Sequence, residues 1–497
     1  MDYRGNMDRE SSVVKKASEN STLGGLFWKF GERITAQIVT TIVSIVLMRI
    51  IEPADYGVIA LVTIAINVCN SFVVGGLGNS LIQKKDADDL DFNSIFYISI
   101  AFSIVLYFVM FVLSTPIASF YNNIKLVLIL RIMSIRLPIA AINSVQHAYI
   151  SRTMQFKKFF IATLFGTIVS GVVGILMALH GYGIWALVAQ YLTNVTIDTL
   201  VLFFVGGWTP RFMFSFERLK KLLPYGFKLM GASVLDTLFN EIRSIIISTR
   251  YSSVDLAMYE NGKKYPNLIV TNINTSISSV MFPVMSKQQE NKDTLKSTMK
   301  KSIKLCTFCL APLLIGLFAC GDRFVDVILT SKWLPSVPYL RMMCIMCLFY
   351  PIHTVNIQAL NAVGESGLTL KLELIKKAIN ISLLLITMFY GVLWIAIGAM
   401  VVSLLSTYIN AAYSKKQFNY SFLDQMKDIF PTLLLAFVMA LAVIVFDNFI
   451  KMNGILMLIS EVLLGTLIFV GGALLFRFQE LTILKDKLSQ LMNKTRR

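Results

Sequence analysis

Apolar runs of about twenty residues recur from one end of the chain to the other, separated by short polar segments. A helix of about twenty apolar residues is long enough to cross the ~30 Å hydrocarbon core of a membrane. The pattern predicts about fourteen such helices, at roughly 23–50, 56–82, 92–113, 125–149, 156–179, 183–206, 220–250, 255–286, 297–320, 334–361, 367–390, 393–413, 429–447 and 453–476. No connection is long enough for a soluble domain, so the expected fold class is an all-α, polytopic membrane protein.

An internal repeat is the most informative part of this pattern, because residues 23–79 recur about 200 positions further along the chain. The first copy carries a polar stripe at helical spacing, made of Arg33, Gln37, Thr40, Thr41 and Ser44. The matching positions in the second copy are Ser233, Thr237, Asn240, Glu241 and Ser244. In the next helix of each copy, Asn67 and Ser71 are matched by Asn267 and Thr271. Two similar membrane halves indicate a pathway between them.

The repeat also predicts the organisation of the chain. The expected parts are a cytoplasmic N-terminal segment (1–22), an N-terminal transmembrane lobe (23–206), a cytoplasmic linker (207–219), a C-terminal transmembrane lobe (220–413), an extra C-terminal helix pair (429–476) and a basic cytoplasmic tail (477–497). We expect the lobes to rock as bodies about the linker. The helix pair lies outside the repeat and is expected to tolerate change better than the lobes.

Composition and charge agree with a membrane protein. Hydrophobic residues make up 56% of the chain and charged residues 15%, whereas a soluble domain has about 25% charged residues. The net charge is +17, and Lys and Arg are concentrated on alternate connections, for example Lys84, Lys85, Lys157 and Lys158. Such residues mark the cytoplasmic side, so both termini are predicted to be cytoplasmic. Because the basic residues sit on many separate loops without aromatic platforms between them, nucleic-acid binding is not expected.

Ionisable and amide side chains inside the predicted spans are the candidate site. A charged residue at a helix centre costs about 2.5–3.5 kcal/mol on insertion scales, so a functional role is the first hypothesis. The residues predicted to line a shared water-filled cavity are Arg33, Arg136, Arg243, Lys264, Gln37, Asn240, Asp236 and Asn267. The competing explanation for each is an internal salt bridge or an interhelical hydrogen bond.

Several runs of sequence resemble a known family. They are LMRIIEPADYGVIALV (47–62), GGLGNSLIQKKDADDLDFNSIFY (75–97), RTMQFKKF (152–159) and GYGIWALVAQYL (181–192). These resemble bacterial polysaccharide-export flippases of the multidrug/oligosaccharidyl-lipid/polysaccharide superfamily, in the branch of colanic acid and teichuronic acid exporters. The resemblance implies two lobes of about six helices forming a V, alternating access and a C-terminal helix pair. It also implies a polyprenyl-pyrophosphate-linked oligosaccharide as substrate, a bacterial cytoplasmic membrane and no catalytic residues.

The expected function is therefore transport of that lipid-linked oligosaccharide, with membrane lipids and other polysaccharide-assembly proteins as further partners. A multidrug or cation antiporter of the same fold stays open because of Asp198, Asp236 and Glu241. A membrane glycosyltransferase or polymerase is the third reading, although it would bring a large soluble domain. No cofactor or metal is expected, because both Cys-x-x-Cys pairs, Cys306 with Cys309 and Cys344 with Cys347, fall in apolar helices where packing explains them.

Overall fold

A computed structural model describes residues 35–450, 452–483 and 485–486, without the side chains of 275–280 and 366. These residues form helices joined by short turns and loops, and no strand occurs among them. The chain divides into two compact units between Val254 and Asp255. Each unit is described separately.

The first unit contains nine helices within the described residues. They are α1 Thr35–Ile50, α2 Pro53–Val74, α3 Leu77–Gln83, α4 Asp89–Phe120, α5 Lys125–Met133, α6 Arg136–Arg152, α7 Lys157–Leu179, α8 Ile184–Val205 and α9 Phe216–Arg250.

The second unit begins within the next helix. Its helices are α10 Ser253–Lys287, α11 Lys292–Ala319, α12 Gly321–Ile328, a 3-10 turn Ser331–Ser336, α13 Val337–Leu348, α14 Tyr350–Ala362, α15 Ser366–Thr387, α16 Val392–Phe418, α17 Phe422–Phe449 and α18 Gly454–Leu475.

The all-α polytopic class is confirmed, and the structure shows how the predicted spans divide by polarity. Ten helical segments in the described part of the chain are long and apolar enough to cross a membrane. Three further predicted spans are the helices α9, α10 and α15, which carry more polar residues. The remaining one, 23–50, is described only from residue 35 onward. The count of about fourteen spans stays a prediction, although every one of them corresponds to a helix where it is described.

Local sequence signals explain where several of these helices begin. At α4, the Asp88 side chain accepts from the Asp91 backbone N–H, and the Asp91 side chain accepts in return from the Asp88 backbone. The bond from the Asp91 backbone N–H holds the pKa of the Asp88 carboxyl below its usual value, with a further contribution from nearby Arg218. At α2, Pro53 occupies the first turn, where its missing N–H costs no hydrogen bond.

Close backbone contact joins α9 to the junction between α2 and α3. A Cβ built on Gly76 would lie 2.0 Å from the Gly226 carbonyl oxygen, so only glycine allows this approach. A Cβ on Gly75 would lie 2.6 Å from the Ser233 side chain. As a result, α9 packs closely along α2 and α3 within the first unit, and the walls of the candidate site are fixed there.

The predicted linker, 207–219, is attached to α4. The Arg211 backbone N–H donates to Asn93 Oδ1 at 2.6 Å, and the Ser215 N–H donates to Ser94 Oγ at 3.0 Å. Trp208 is buried against the aromatic ring of Phe92 and its neighbours. The lobe limits and a hinge at this linker stay predictions, but any hinge there has to break these contacts.

The predicted C-terminal helix pair, 429–476, packs against the predicted C-terminal lobe. Phe308 of α11 shares a core cluster with Leu435 of α17 and Phe469 of α18. Deeper in the unit, Asn356 and Gln425 are fully buried and exchange two hydrogen bonds, at 2.8 and 3.2 Å. The pair is therefore part of the packed core of the second unit.

The first residues of the predicted tail continue this packing. Phe478 and Leu481 pack against the same cluster. Glu480 is buried and forms an ion pair with Lys304 of α11, with 3.0 Å between the Lys304 Nζ and the Glu480 Oε1. The described part of the tail is thus held to α11.

Candidate functional site

Helix α6 places a row of polar side chains on one wall of a cavity inside the first unit. Arg136, Asn143, His147 and Ser151 follow each other at helical spacing and share a face. The cavity has a volume of about 400 Å³ and is called the Arg136 cavity below. Its lining residues are Asn70, Val74, Gly78, Asn79, Ile82, Arg136, Ala140, Asn143, Ser144, His147, Ala148, Ser151 and Val195.

Arg136 gives this cavity its charge. The residue is half-buried, and it makes neither an ion pair nor a hydrogen bond within the part of the chain that the structure describes. No carboxylate is among the residues that line the cavity. An unpaired guanidinium has five N–H donors in a planar fork, which suits a phosphate or carboxylate ligand.

Asp198 of α8 contacts two of the α6 side chains that line this cavity. Asn143 donates through Nδ2 to Asp198 Oδ2 at 2.6 Å, and His147 Nε2 lies 3.9 Å from the same oxygen. The carboxylate is therefore hydrogen-bonded to Asn143 and lies next to His147, two α6 side chains that line the cavity. Asn143 Oδ1 has no hydrogen-bond partner among the described residues, so its acceptor capacity is unused.

A second polar cavity of about 400 Å³ lies between α2 and α9, and is called the Glu241 cavity below. Its lining residues are Asn67, Asn70, Ser71, Val74, Gly75, Ser233, Thr237, Asn240 and Glu241. Asn67 donates through Nδ2 to Glu241 Oε1 at 3.2 Å, which spans the cavity from one helix to the other. The two polar stripes of the sequence pattern, on α2 and on α9, thus face each other here.

Most of the other predicted site residues lie outside these two cavities. Asp236 is exposed on α9 and accepts from Asn240 Nδ2 at 3.1 Å. Gln37 is half-buried on α1, where its backbone carbonyl oxygen accepts from Thr41 Oγ1 at 2.7 Å. Arg243 is half-buried further along α9. Arg33 lies outside the described residues.

The last two predicted residues belong to the second unit. Lys264 of α10 places its Nζ 5.7 Å from the centroid of the Tyr265 ring. Asn267, one turn further on, has its Oδ1 3.8 Å from Cys347 Sγ. The structure thus brings Arg136, Asn143 and His147 together in one cavity, and Asn240 and Glu241 together in the other. That all four predicted cations share one cavity stays a prediction.

Asn70 is the functional candidate that the sequence pattern did not single out. It lines both cavities, and its Oδ1 has no hydrogen-bond partner in the described part of the chain. The signal was available, because Asn70 follows Asn67 by three residues and precedes Val74 by four, on the same helix face. The two cavities therefore meet at this side chain.

Metal-ligating side chains do not gather in the described part of the chain. No group of three or more His, Cys, Asp and Glu residues is placed there to hold an ion. Cys306 and Cys309 lie on α11, while Cys344 and Cys347 lie on α13, and all four are free thiols.

Comparison with known sequences identifies relatives of the chain. Residues 46–338, more than half of the 497, match the family described as polysaccharide biosynthesis protein. The succinoglycan biosynthesis transport protein ExoT of Rhizobium meliloti (strain 1021) is 23% identical over 60% of this chain and 61% of its own length. The teichuronic acid biosynthesis protein TuaB of Bacillus subtilis (strain 168) is 24% identical over 59% of this chain and 61% of its own length. The chain thus spans 61% of these two relatives.

Two solved structures share the fold. The lipid II flippase MurJ, in an inward closed conformation, aligns with a TM-score of 0.72 at 14% identity, over 92% of this chain and 99% of that one. An inward-facing multidrug resistance MATE family transporter of the MOP superfamily aligns with a TM-score of 0.62 at 13% identity, over 78% of this chain and 98% of that one. At these identities the likeness establishes the fold. Together with the sequence match over more than half of its length, it shows that the chain belongs to the polysaccharide biosynthesis protein family, built on the fold of MurJ and the MATE transporters.

Proposed function

We propose that this protein is a flippase that moves a polyprenyl-pyrophosphate-linked oligosaccharide across the bacterial cytoplasmic membrane by alternating access. The observation that carries the proposal is the Arg136 cavity, a polar space at a predicted span whose lining residues include an unpaired guanidinium and no carboxylate. The family membership and the transport role named for ExoT support it. In this proposal both termini are cytoplasmic, as the distribution of Lys and Arg predicts.

The Arg136 cavity suits the pyrophosphate head group. A phosphate charge in hydrocarbon carries a prohibitive solvation cost, which a fixed cation in a wet cleft offsets. Arg136 supplies that cation, and His147 adds a second nitrogen base on the same wall. Charge-assisted hydrogen bonds from a guanidinium to phosphate are shorter and stronger than neutral ones, so the head group is held at Arg136.

The Glu241 cavity suits the sugars that follow the head group. Its lining offers amides and hydroxyls, from Asn67, Ser71, Ser233 and Thr237, which donate to and accept from sugar hydroxyls. Asn70 lines both cavities, so a head group in one and the first sugars in the other contact the same side chain. In this proposal Arg33, Arg243 and Lys264 extend the cationic path, and Gln37, Asp236 and Asn267 complete its polar lining.

Cation antiport is the second candidate, favoured by the Asp198 carboxylate, which contacts the wall of the Arg136 cavity through Asn143. An antiporter for cationic drugs needs accessible carboxylates in its binding cavity. Here Asp198 is not among the residues that line the Arg136 cavity, and Glu241, which lines the second cavity, accepts a hydrogen bond from Asn67. The anionic substrate therefore fits the observed charges better.

Reconstitution in vesicles tests the proposal. Purified protein is placed in vesicles that carry a polyprenyl-pyrophosphate-linked oligosaccharide in both leaflets, and a membrane-impermeant pyrophosphatase is added outside. The expected result is that protein raises the cleaved fraction beyond the half that starts in the outer leaflet. A parallel assay follows efflux of a cationic dye. Dye movement without lipid movement would replace the flippase proposal with the antiporter.

A further inference from the structure

A charged cluster joins the C-terminal helix pair to α12 within the second unit. The Arg323 guanidinium of α12 donates through Nη2 to Asp447 Oδ1 of α17 at 2.6 Å. Arg323 Nε lies 3.9 Å from Glu461 Oε1 of α18, which is beyond hydrogen-bond distance. The guanidinium is thus bonded to Asp447 and only adjacent to Glu461.

Glu461 is enclosed at this place. Its side chain is 1% exposed, and neither carboxyl oxygen has a hydrogen-bond partner among the described residues. Glu461 lies about two turns inside α18, a helix that is long and apolar enough to cross a membrane. A carboxylate in such a position lacks both water and the donors that replace water.

Charge balance around Glu461 points the same way. The titratable groups facing the cluster are Arg323 and Asp326 of α12, Asp447 of α17, Glu461 of α18 and the Cys320 thiol at the end of α11. The hydrogen bond to Asp447 raises the pKa of Arg323, so the guanidinium stays charged. A single guanidinium faces two carboxyls, with its hydrogen bond on Asp447 at 2.6 Å and Glu461 at 3.9 Å, so one counter-charge cannot balance both as carboxylates. A buried carboxyl without a counter-charge adopts its neutral, protonated form.

We propose that Glu461 is a proton-binding site, a carboxylic acid that stays protonated while α12 and α18 are packed together. When the two helices separate, water reaches the carboxyl, the proton leaves to that water, and the carboxylate is then solvated away from Arg323. Proton binding at Glu461 is thereby coupled to the attachment of the C-terminal pair. Beyond the other end of α18, the chain is attached to α11 by the Lys304–Glu480 ion pair, in which the carboxylate has its own counter-charge.

Infrared difference spectroscopy of the full-length protein in detergent tests this directly. At neutral pH the wild type is expected to show the carbonyl stretch of a buried protonated carboxylic acid. E461Q removes the acid and abolishes that band. D447N frees Arg323 to pair with Glu461, so Glu461 ionises and the band is lost without removing the residue. D322N, which changes an exposed α12 side chain paired with Arg341 of α13, serves as the control and keeps the band.

Thermal unfolding supplies a second readout. The wild-type midpoint is expected to fall by several degrees as the pH rises from about 4.5 to about 7, because over this range the unfolded chain releases the Glu461 proton that the folded chain keeps. E461Q and D447N flatten this dependence, and D322N leaves it as in the wild type. A wild type without the acid band, or a band unchanged in both E461Q and D447N, overturns the proposal. If E461Q does not fold, D447N alone decides.

Discussion

Arg136 is the residue on which the proposed substrate binding depends most. It begins α6, lines a polar cavity, and makes no ion pair or hydrogen bond within the described residues. By contrast, Arg131 in the same span is held against α4, where its Nε donates to Ser114 Oγ at 3.0 Å and its guanidinium covers the Phe111 ring. Two arginines of one span thus have different surroundings, which allows a matched comparison.

We predict that R136A lowers the flipping rate roughly ten- to hundredfold, the effect of about 1.5–3 kcal/mol for lost hydrogen bonds to a charged group. R136K keeps the charge and loses the fork, so its rate is expected to be intermediate. The measurement is the vesicle assay, normalised to folded protein. R131A is the control, and its rate per folded molecule should match the wild type. Equal rates in R136A and R131A would mean that Arg136 is structural.

At the scale of elements, α9 is held to α3 by glycine contact at Gly76 and Gly226. We predict that G76A lowers the unfolding midpoint, because the added Cβ would meet the Gly226 carbonyl at 2.0 Å and the backbone has to shift. Overpacking of this kind costs about 1–3 kcal/mol. Thermal unfolding in detergent is the measurement. G231A, on the same helix with nothing within 4 Å of its Cβ, is the control and should be neutral or slightly stabilising. An equal midpoint in both variants would show that the close contact of Gly76 with Gly226 does not hold α9 in place.

A buried pair of side-chain amides attaches α17 to α14. Q425A leaves the fully buried Asn356 without its side-chain partner on α17, and Tyr420 loses a donor to its carbonyl. An unsatisfied buried amide costs about 1–3 kcal/mol, so we predict a lower midpoint. T466A on the exposed side of α18 is the control. If the two variants unfold at the same temperature, the helix pair tolerates change as its position outside the repeat predicted.

For the whole molecule, the distribution of Lys and Arg predicts the orientation in the membrane. We expect a reporter fused after Arg497 to be active on the cytoplasmic side. A reporter inserted after Met452, in the connection between α17 and α18, should be external. The pair of insertions controls for expression, since each fusion reads the opposite side. An external C-terminal reporter would contradict the predicted topology.

Motion between the predicted lobes depends on the contacts of the linker that connects them. The linker at 207–219 was predicted to flex, and the structure shows it bonded to Asn93 and Ser94 of α4. It also shows α9 packed along α2 and α3 within the first compact unit. In the proposed alternating access, a hinge at this linker would have to break its bonds to α4.

The amino-acid sequence by itself determined the class of the protein, because hydrophobic length and periodicity act locally. An apolar run has to span the membrane wherever its neighbours lie. The stripe containing Asn240 and Glu241 could be predicted for the same reason, since side chains on one helix face follow from spacing alone.

Only the tertiary structure decided which stripes meet. Periodicity does not say which helix a stripe faces, so the partners of Asn143 and Asn67, which are Asp198 and Glu241, came from packing. Glycine contacts such as Gly76 with Gly226 fix that packing, and they leave no periodic signal. The enclosure of Glu461 beside Arg323 arises in the same way, because burial depends on neighbours more than a hundred residues away in the chain.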